Sequence, residues 1–350
     1  MKTRAAILEE LGKPLKIEEI EIPELKSGQV LVDIAYSGVC HTQVLEARGY
    51  RGEDKFLPHC LGHEGSGIVR EIGPDVEKVK NGDKVILSWM QGHGINVPGT
   101  VYKRGNDNIN SGGITTFSKQ SVISENRLTV IPKDSKISLK DASMLGCALP
   151  TGIGAVKNVA KPKKGQSIAI FGAGGIGLCA IMGAKIEECN PIIAIDIIDK
   201  KLEESKAIGA THTINATSKD PVKELKNICP NGIDFAIESS GITKVMKQAL
   251  ESVKMRGGKA IVVGNAHHGE TLNLDPHQFN LGKSILGTWG GDNDPDEDFS
   301  KYIEFVTSGK IELSNFTSKV YDLENINKAL DDLENGKVLR PLIDMKLKVD

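Results

Sequence analysis

The 350-residue sequence predicts an α/β protein built from a mostly-β unit and a doubly wound parallel sheet. Three observations carry that prediction. Short β-like runs broken by glycine and proline fill the chain to about residue 149; apolar strands then alternate with amphipathic helices; and the glycine-rich string FGAGGIG stands at the first strand-to-helix junction of the alternating part.

In the first part, QVLVDIAY, GIVREIG, DKVILS and QSVIS read as strands, and Pro58, Pro98 and Pro132 with many glycines make the unit irregular and mostly antiparallel. Helix signals are scarce there. The second part reads SIAIF and a helix from Gly175, IIAID and DKKLEESKAIG, THTIN and PVKELKNI, DFAIESS and a helix near 243–253, then AIVVG and SILGTW. Near-continuous Val, Ile and Ala runs are what strands covered on both faces require. The last stretch, with the helical segments DFSKYIEFVTSG and NINKALDDLENG, adds no further strand to that sheet and is expected to return to the first part. The expected domains are therefore 1–149, 150–289, and 290–350 as the return.

Composition excludes several function classes. Forty-four Lys and Arg against 46 Asp and Glu give a formal net charge of −2, so no bulk field draws the chain to nucleic acid or an anionic membrane. A small-molecule substrate is expected. MKTRAAILEE has no apolar run of signal-peptide length, and no segment approaches the roughly 18 apolar residues of a membrane span, so a cytoplasmic location is expected. Six cysteines, none in a C-x-x-C pair, are too sparse for a disulfide scaffold.

FGAGGIG supplies Gly172, Gly174 and Gly177 in G-x-G-x-x-G spacing, and Asp196 ends the next strand at about the 20-residue offset of a dinucleotide fingerprint. The first glycine permits the tight turn, the second admits the pyrophosphate, and the third lets helix and strand pack closely, while the helix N-terminus favours phosphate charge. Asp196 would accept hydrogen bonds from the adenosine ribose and repel a 2′-phosphate. NAD is thus expected over NADP.

GVCHTQ places Cys40 beside His41, LGHEGSG supplies His63, and LGCALPTGIGA places Cys147 where the texture changes. A lone buried cysteine is more often packing than ligand, and spacing cannot show that these three meet. Together, two thiols and an imidazole with a water would make a tetrahedral zinc site with one exchangeable position.

GVCHTQ, GHEGSG, GCALPTGIGA, FGAGGIG, IAIDIIDK, IESSG, VVG and GKVLRP occur in an order that resembles the zinc-containing alcohol dehydrogenases of the medium-chain dehydrogenase/reductase superfamily, over essentially the whole chain. The resemblance implies a GroES-like catalytic domain, a Rossmann domain inserted before its C-terminal portion, and an active site in the cleft between them. It implies that Cys40, His63 and Cys147 bind one catalytic zinc, with Glu64 beside the metal as a transient ligand and Thr42 as the hydroxyl that takes the substrate proton. Trp89 would wall the substrate pocket. On the cofactor side it implies His41, Gly172, Gly174, Gly175, Gly177, Asp196, Lys201 and Val263, with Arg340 on the pyrophosphate. The expected reaction is hydride transfer between an alcohol and NAD, giving aldehyde or ketone, in a homo-oligomer (dimer or tetramer).

Departures from the family matter as well. The stretch MQGHGINVPGTVYKRGNDNINSGG holds none of the four cysteines of the family's structural zinc, so that zinc is not expected. The usual acid after the catalytic hydroxyl is Gln43, whose amide oxygen is expected to accept the His63 N–H while adding no charge. Leu45 replaces a histidine of the proton relay. His93 reads as a surface residue, and Cys60, Cys179, Cys189 and Cys229 as buried packing. Asn265, with His267 and His268, hints at a polar, polyol- or sugar-like alcohol. The alternatives are a zinc-free quinone or enone reductase of the same superfamily and a non-catalytic dinucleotide-binding protein; the ligand trio argues against both.

Overall fold

The strand Gln29–Gly38, whose Val30, Leu31, Val32 and Ile34 are apolar, feeds two cores at once because successive side chains point to opposite faces. Val30, Val32 and Ile34 enter one cluster with Val85, Leu87 and Phe117, whereas Leu31 enters another with Ile7, Ile20 and Tyr102. In the computed structural model, which describes residues 1–314, 316 and 319–348, this strand belongs to a unit made of Met1–Cys147 and Asp294–Asp350. Five of that unit's strands, Lys2–Leu8, Lys16–Glu21, Val101–Arg104, Asp107–Ser111 and His59–Cys60, close a small barrel. A seven-stranded sheet runs Leu128–Val130, Lys84–Ser88, Glu64–Ile72, Gln29–Gly38, Leu342–Asp344 and Val320–Asp322, with Gln120–Ser124 also pairing with Gln29–Gly38. The C-terminal segment thus completes this sheet: Leu342, Ile343 and Asp344 pair antiparallel with Gly38, Ser37 and Tyr36.

The second unit is Ala148–Asn293. Its six strands, Ile168–Phe171, Ile192–Asp196, His212–Asn215, Phe235–Glu238, Lys259–Val262 and Ser284–Gly287, are all parallel. Their spatial order, third, second, first, fourth, fifth, sixth, is the order of a doubly wound dinucleotide fold. Ala169, Phe171, Ile193, Ala236 and Ala260 build the core on one face with Leu225, Ala249 and Leu250 from the covering helices.

Helix Gly175–Ile186 starts directly over the strand Ile168–Phe171, and its closeness depends on one residue. A Cβ at Gly177 would run into the carbonyl of Gly172. Gly177→Ala should therefore force helix and loop apart and cost about 1–3 kcal/mol, as overpacking in tight interiors does. A urea melt followed by circular dichroism checks this, and an unchanged midpoint would show that the turn relaxes freely.

Candidate active site and metal centre

Three distant segments bring Cys40, His63 and Cys147 together in the first unit. Cys40 follows the strand Gln29–Gly38 and is the N-cap of helix His41–Ala47, in extended conformation with φ −90° and ψ 152°. His63 immediately precedes the strand Glu64–Ile72, and Cys147 follows the 3-10 turn Ser143–Gly146. Their donor atoms all lie within 4.8 Å of one another, with His63 Nε2 3.3 Å from Cys147 Sγ. Both sulfurs are buried. Two sulfurs and one imidazole nitrogen so close together, away from bulk water, are a donor set that fits zinc.

The electrostatics agree with a cation site. The Cys147 thiol beside it holds the Cys40 thiol well below the usual thiol range, and the same pairing, together with burial, pushes Cys147 well above it. Each thiol thus bears directly on the other, as two donors aimed at one point do. Glu64 is fully buried, and its Oε1 accepts from Nη2 of Arg340, itself buried. Burial pushes the Glu64 carboxyl up, against the pull of Arg340. Such a pair is costly to break, because either partner alone would be an uncompensated buried charge.

Glycines make room for this carboxylate. A Cβ at Gly38 would meet the Glu64 carboxylate, and one at Gly146 would come 2.8 Å from Glu64 Cβ. Ser88 Oγ donates to the Gly146 carbonyl at 2.8 Å, fixing the turn just before Cys147. Neither role stood out in the sequence, although a lone serine ending the apolar run KVIL was a signal that could have found Ser88.

Around the trio, Thr42 Oγ1 lies 3.6 Å from Cys40 Sγ, and the Trp89 ring stands edge-on to His63 with centroids 6.4 Å apart. His41 is exposed at the start of the helix, and Leu45 is buried in it. Gln43 reaches His63 as expected, but by its other end: Nε2 lies 2.6 Å from His63 Nδ1, while Oε1 accepts the backbone N–H of Cys40 at 3.2 Å. The cause is local, since a glutamine at the third position of a helix closes a capping box with the N-cap residue.

A second group, His93, Asp294 and Asp296, also brings ligand atoms within 4.8 Å. Its acids are already engaged. Asp296 pairs with Lys78 Nζ at 2.6 Å and accepts the His93 N–H at 2.5 Å, and Asp294 Oδ1 accepts the Asp296 N–H at the start of helix Pro295–Thr307. The His93 side chain is 82% exposed. Of the remaining cysteines, Cys60, Cys179 and Cys189 are buried, and Cys229 is half-buried rather than buried. Burial pushes the Cys60 thiol up to about 12, which makes it inert packing.

In the second unit Gly172 has φ +90°, a conformation L side chains rarely adopt, and opens the turn over Ser239 and Ser240. A Cβ at Gly174 would meet nothing within 4 Å, so this face of the loop is left open where a pyrophosphate would approach. Gly175 begins the helix that follows. Asp196 Oδ2 accepts the Ala173 N–H at 2.7 Å, and Oδ1 accepts the N–H groups of Ile197 and Ile198. Three backbone N–H groups thereby fix the orientation of the carboxylate at the strand end. Lys201 is half-buried on helix Asp199–Ile208, the Val263 N–H donates to the Glu238 carbonyl at 2.8 Å, and Asn265 is exposed.

Comparison with known proteins agrees with both halves. Residues 26–133 match the alcohol dehydrogenase GroES-like domain, and residues 175–308 match the zinc-binding dehydrogenase domain. An S-(hydroxymethyl)glutathione dehydrogenase of Photobacterium damsela subsp. piscicida is 36% identical over 370 aligned positions, covering 98% of this chain and all of the relative. The crystal structure of benzyl alcohol dehydrogenase from Acinetobacter calcoaceticus superposes with a TM-score of 0.90 at 30% identity, covering 98% of this chain and 99% of that one. An alcohol dehydrogenase zinc-binding domain protein from Burkholderia ambifaria gives 0.91 at 29% identity, covering 99% and 100%.

Replacing a ligand separates the trio from the other cysteines. Cys147→Ala should lose nearly all bound metal, whereas Cys60→Ala should keep it, as read by elemental analysis after gel filtration. Equal retention in both variants would remove Cys147 from the site.

Proposed function

We infer, from the premise that the chain belongs to the zinc-containing alcohol dehydrogenases, that Cys40, His63 and Cys147 hold its catalytic zinc and that NAD is its nicotinamide dinucleotide. The protein is a zinc-dependent oxidoreductase interconverting alcohols and carbonyl compounds. The single observation that carries the site assignment is the buried Cys, His, Cys cluster with donor atoms within 4.8 Å. A zinc-free reductase has no use for such a cluster, and a non-catalytic dinucleotide binder has none either.

Zinc held there supplies Lewis acidity, which makes an alcohol easier to deprotonate. The chain's own residues do the rest. The Thr42 hydroxyl, 3.6 Å from Cys40 Sγ, would take the substrate proton as it releases its own toward water, since Leu45 offers no imidazole to receive it. The Trp89 ring, edge-on to His63 with centroids 6.4 Å apart, is read as a wall of the substrate pocket. Glu64 is read as a transient ligand beside the metal, paired with Arg340; Arg340, whose Nε has no hydrogen-bond partner among the described residues, is read as a cofactor-phosphate residue. Gly172, Gly174, Gly175, Gly177, Asp196, Lys201 and Val263 are proposed as cofactor residues of the second unit and His41 as one of the first, and Asn265 is proposed as a substrate residue.

The substrate is a small alcohol, and the polar loop of Asn265, His267 and His268, all exposed, favours one carrying further hydroxyls. No helix among the described residues is long and apolar enough to cross a membrane, which supports a cytoplasmic enzyme. The strand Ser284–Gly287 ends the parallel sheet, with Leu286 and the 75% exposed Trp289 on or beside it. An open apolar edge of this kind is a template for a second copy, which supports a homo-oligomer. Leu286→Lys should shift the molar mass by light scattering to that of a monomer; an unchanged mass would place the contact elsewhere.

The decisive assay follows NADH formation over a panel from benzyl alcohol through glycols and polyols to S-(hydroxymethyl)glutathione. With NAD the catalytic efficiency should exceed that with NADP by at least an order of magnitude, and Asp196→Ala should narrow the gap. Elemental analysis should give close to one zinc per chain. A preference for NADP would overturn the cofactor assignment, and two zincs per chain would give His93, Asp294 and Asp296 a metal of their own.

A further inference from the structure

The Gln43 amide stands between the Cys40 backbone N–H and the Nδ1 atom of His63 and has one oxygen to offer them. It is buried, and Oε1 takes the Cys40 backbone N–H at 3.2 Å while Nε2 lies 2.6 Å from His63 Nδ1. In that arrangement the amide N–H donates and Nδ1 accepts, so a neutral His63 carries its proton on Nε2. Nε2 is the nitrogen that faces the sulfurs, 3.3 Å from Cys147 Sγ. A protonated nitrogen has no lone pair for a metal.

Ligation through Nε2 therefore needs the other tautomer, with the proton on Nδ1, and that N–H needs an acceptor. The side chain that reaches Nδ1 is Gln43, whose oxygen is committed to Cys40. Turning the amide over would deliver the oxygen to His63 but point an NH2 group at the Cys40 N–H, and two donors would then face each other. A carboxylate at this position would escape the conflict, because its two oxygens can accept both N–H groups at once.

We propose that Gln43 is a positioning residue whose amide turns over when zinc is loaded. Without metal it closes the first turn of helix His41–Ala47 at Cys40 and donates to His63. With metal its oxygen accepts Nδ1–H and the Cys40 N–H gives up its cap. The ring stays neutral throughout: one proton leaves Nε2 as one is gained at Nδ1. Loading the metal thus costs a helix-capping hydrogen bond, in the same residue that carries a ligand sulfur.

The proposal rests on the reading of His63 as a zinc ligand, and the test keeps the two apart. Side-chain nitrogen spectra of 15N-histidine-labelled protein, taken at alkaline pH with and without zinc, report which ring nitrogen holds the proton. In the wild type the His63 proton should sit on Nε2 without zinc and on Nδ1 with it. In Gln43→Glu it should sit on Nδ1 in both, and chelator competition should show zinc held on the order of tenfold tighter. A wild type with Nδ1–H already in the metal-free state, or a Glu variant that binds zinc no more tightly, would overturn the amide turnover. Zinc that leaves both His63 nitrogens unmoved would instead overturn the ligand assignment, and the proposal with it.

Discussion

Two buried sulfurs and an imidazole nitrogen held within 4.8 Å of one another are the constraint on which the rest of the first unit depends. The contact between the two sulfurs pulls the Cys40 thiol down and, with burial, pushes the Cys147 thiol up. A flexible chain would let such groups drift apart into solvent. Here each one is pinned by a different kind of element: Cys40 by a helix start, His63 by the lip of a central strand, and Cys147 by a 3-10 turn whose last carbonyl is held by Ser88. No short sequence could supply three such anchors at once, so the ligands are far apart in the chain.

The same constraint gives the C-terminal return a chemical purpose. Glu64 follows His63 directly and is fully buried, so its charge must be met by a partner. Arg340 is that partner, and the strand Leu342–Asp344 that follows it pairs with Tyr36, Ser37 and Gly38, two residues before Cys40. Sheet pairing therefore sets the guanidinium against the carboxylate. Gly38 and Gly146 then leave the space this carboxylate fills, which ties the glycine before each cysteine to packing rather than to turn geometry.

What the sequence made legible follows the range of the interactions involved. The parallel sheet could be read because each strand, turn and helix is written in consecutive residues, and the fingerprint from Gly172 to Gly177 with Asp196 is local. The Cys, His, Cys set could be suspected only through resemblance, since its members meet by folding. The five-stranded barrel and the order of the seven-stranded sheet stayed hidden because antiparallel pairing between distant short strands leaves little periodic signal, and strands of three residues such as Val320–Asp322 leave less. The second partner of the Gln43 amide stayed hidden for the opposite reason: the Cys40 N–H that its oxygen accepts lies only three residues back, within the first turn of a short helix that no periodic pattern marks.

Charge explains why an amide can stand where the family usually has an acid. With zinc bound, two thiolates would balance the charge of the ion, and Glu64 with Arg340 would balance each other, so the buried site would be neutral as a whole. An acid at position 43 would satisfy both N–H donors but leave one negative charge uncompensated in a region of low dielectric. That charge would strengthen the hold on the cation and at the same time blunt its pull on a bound alcohol's electrons. The amide keeps the electrostatic pull undiminished, and its cost is one hydrogen bond that cannot be made in both directions. In this chain the acidity available to the substrate and the grip on the metal are therefore set against each other by the chemistry of a single side chain.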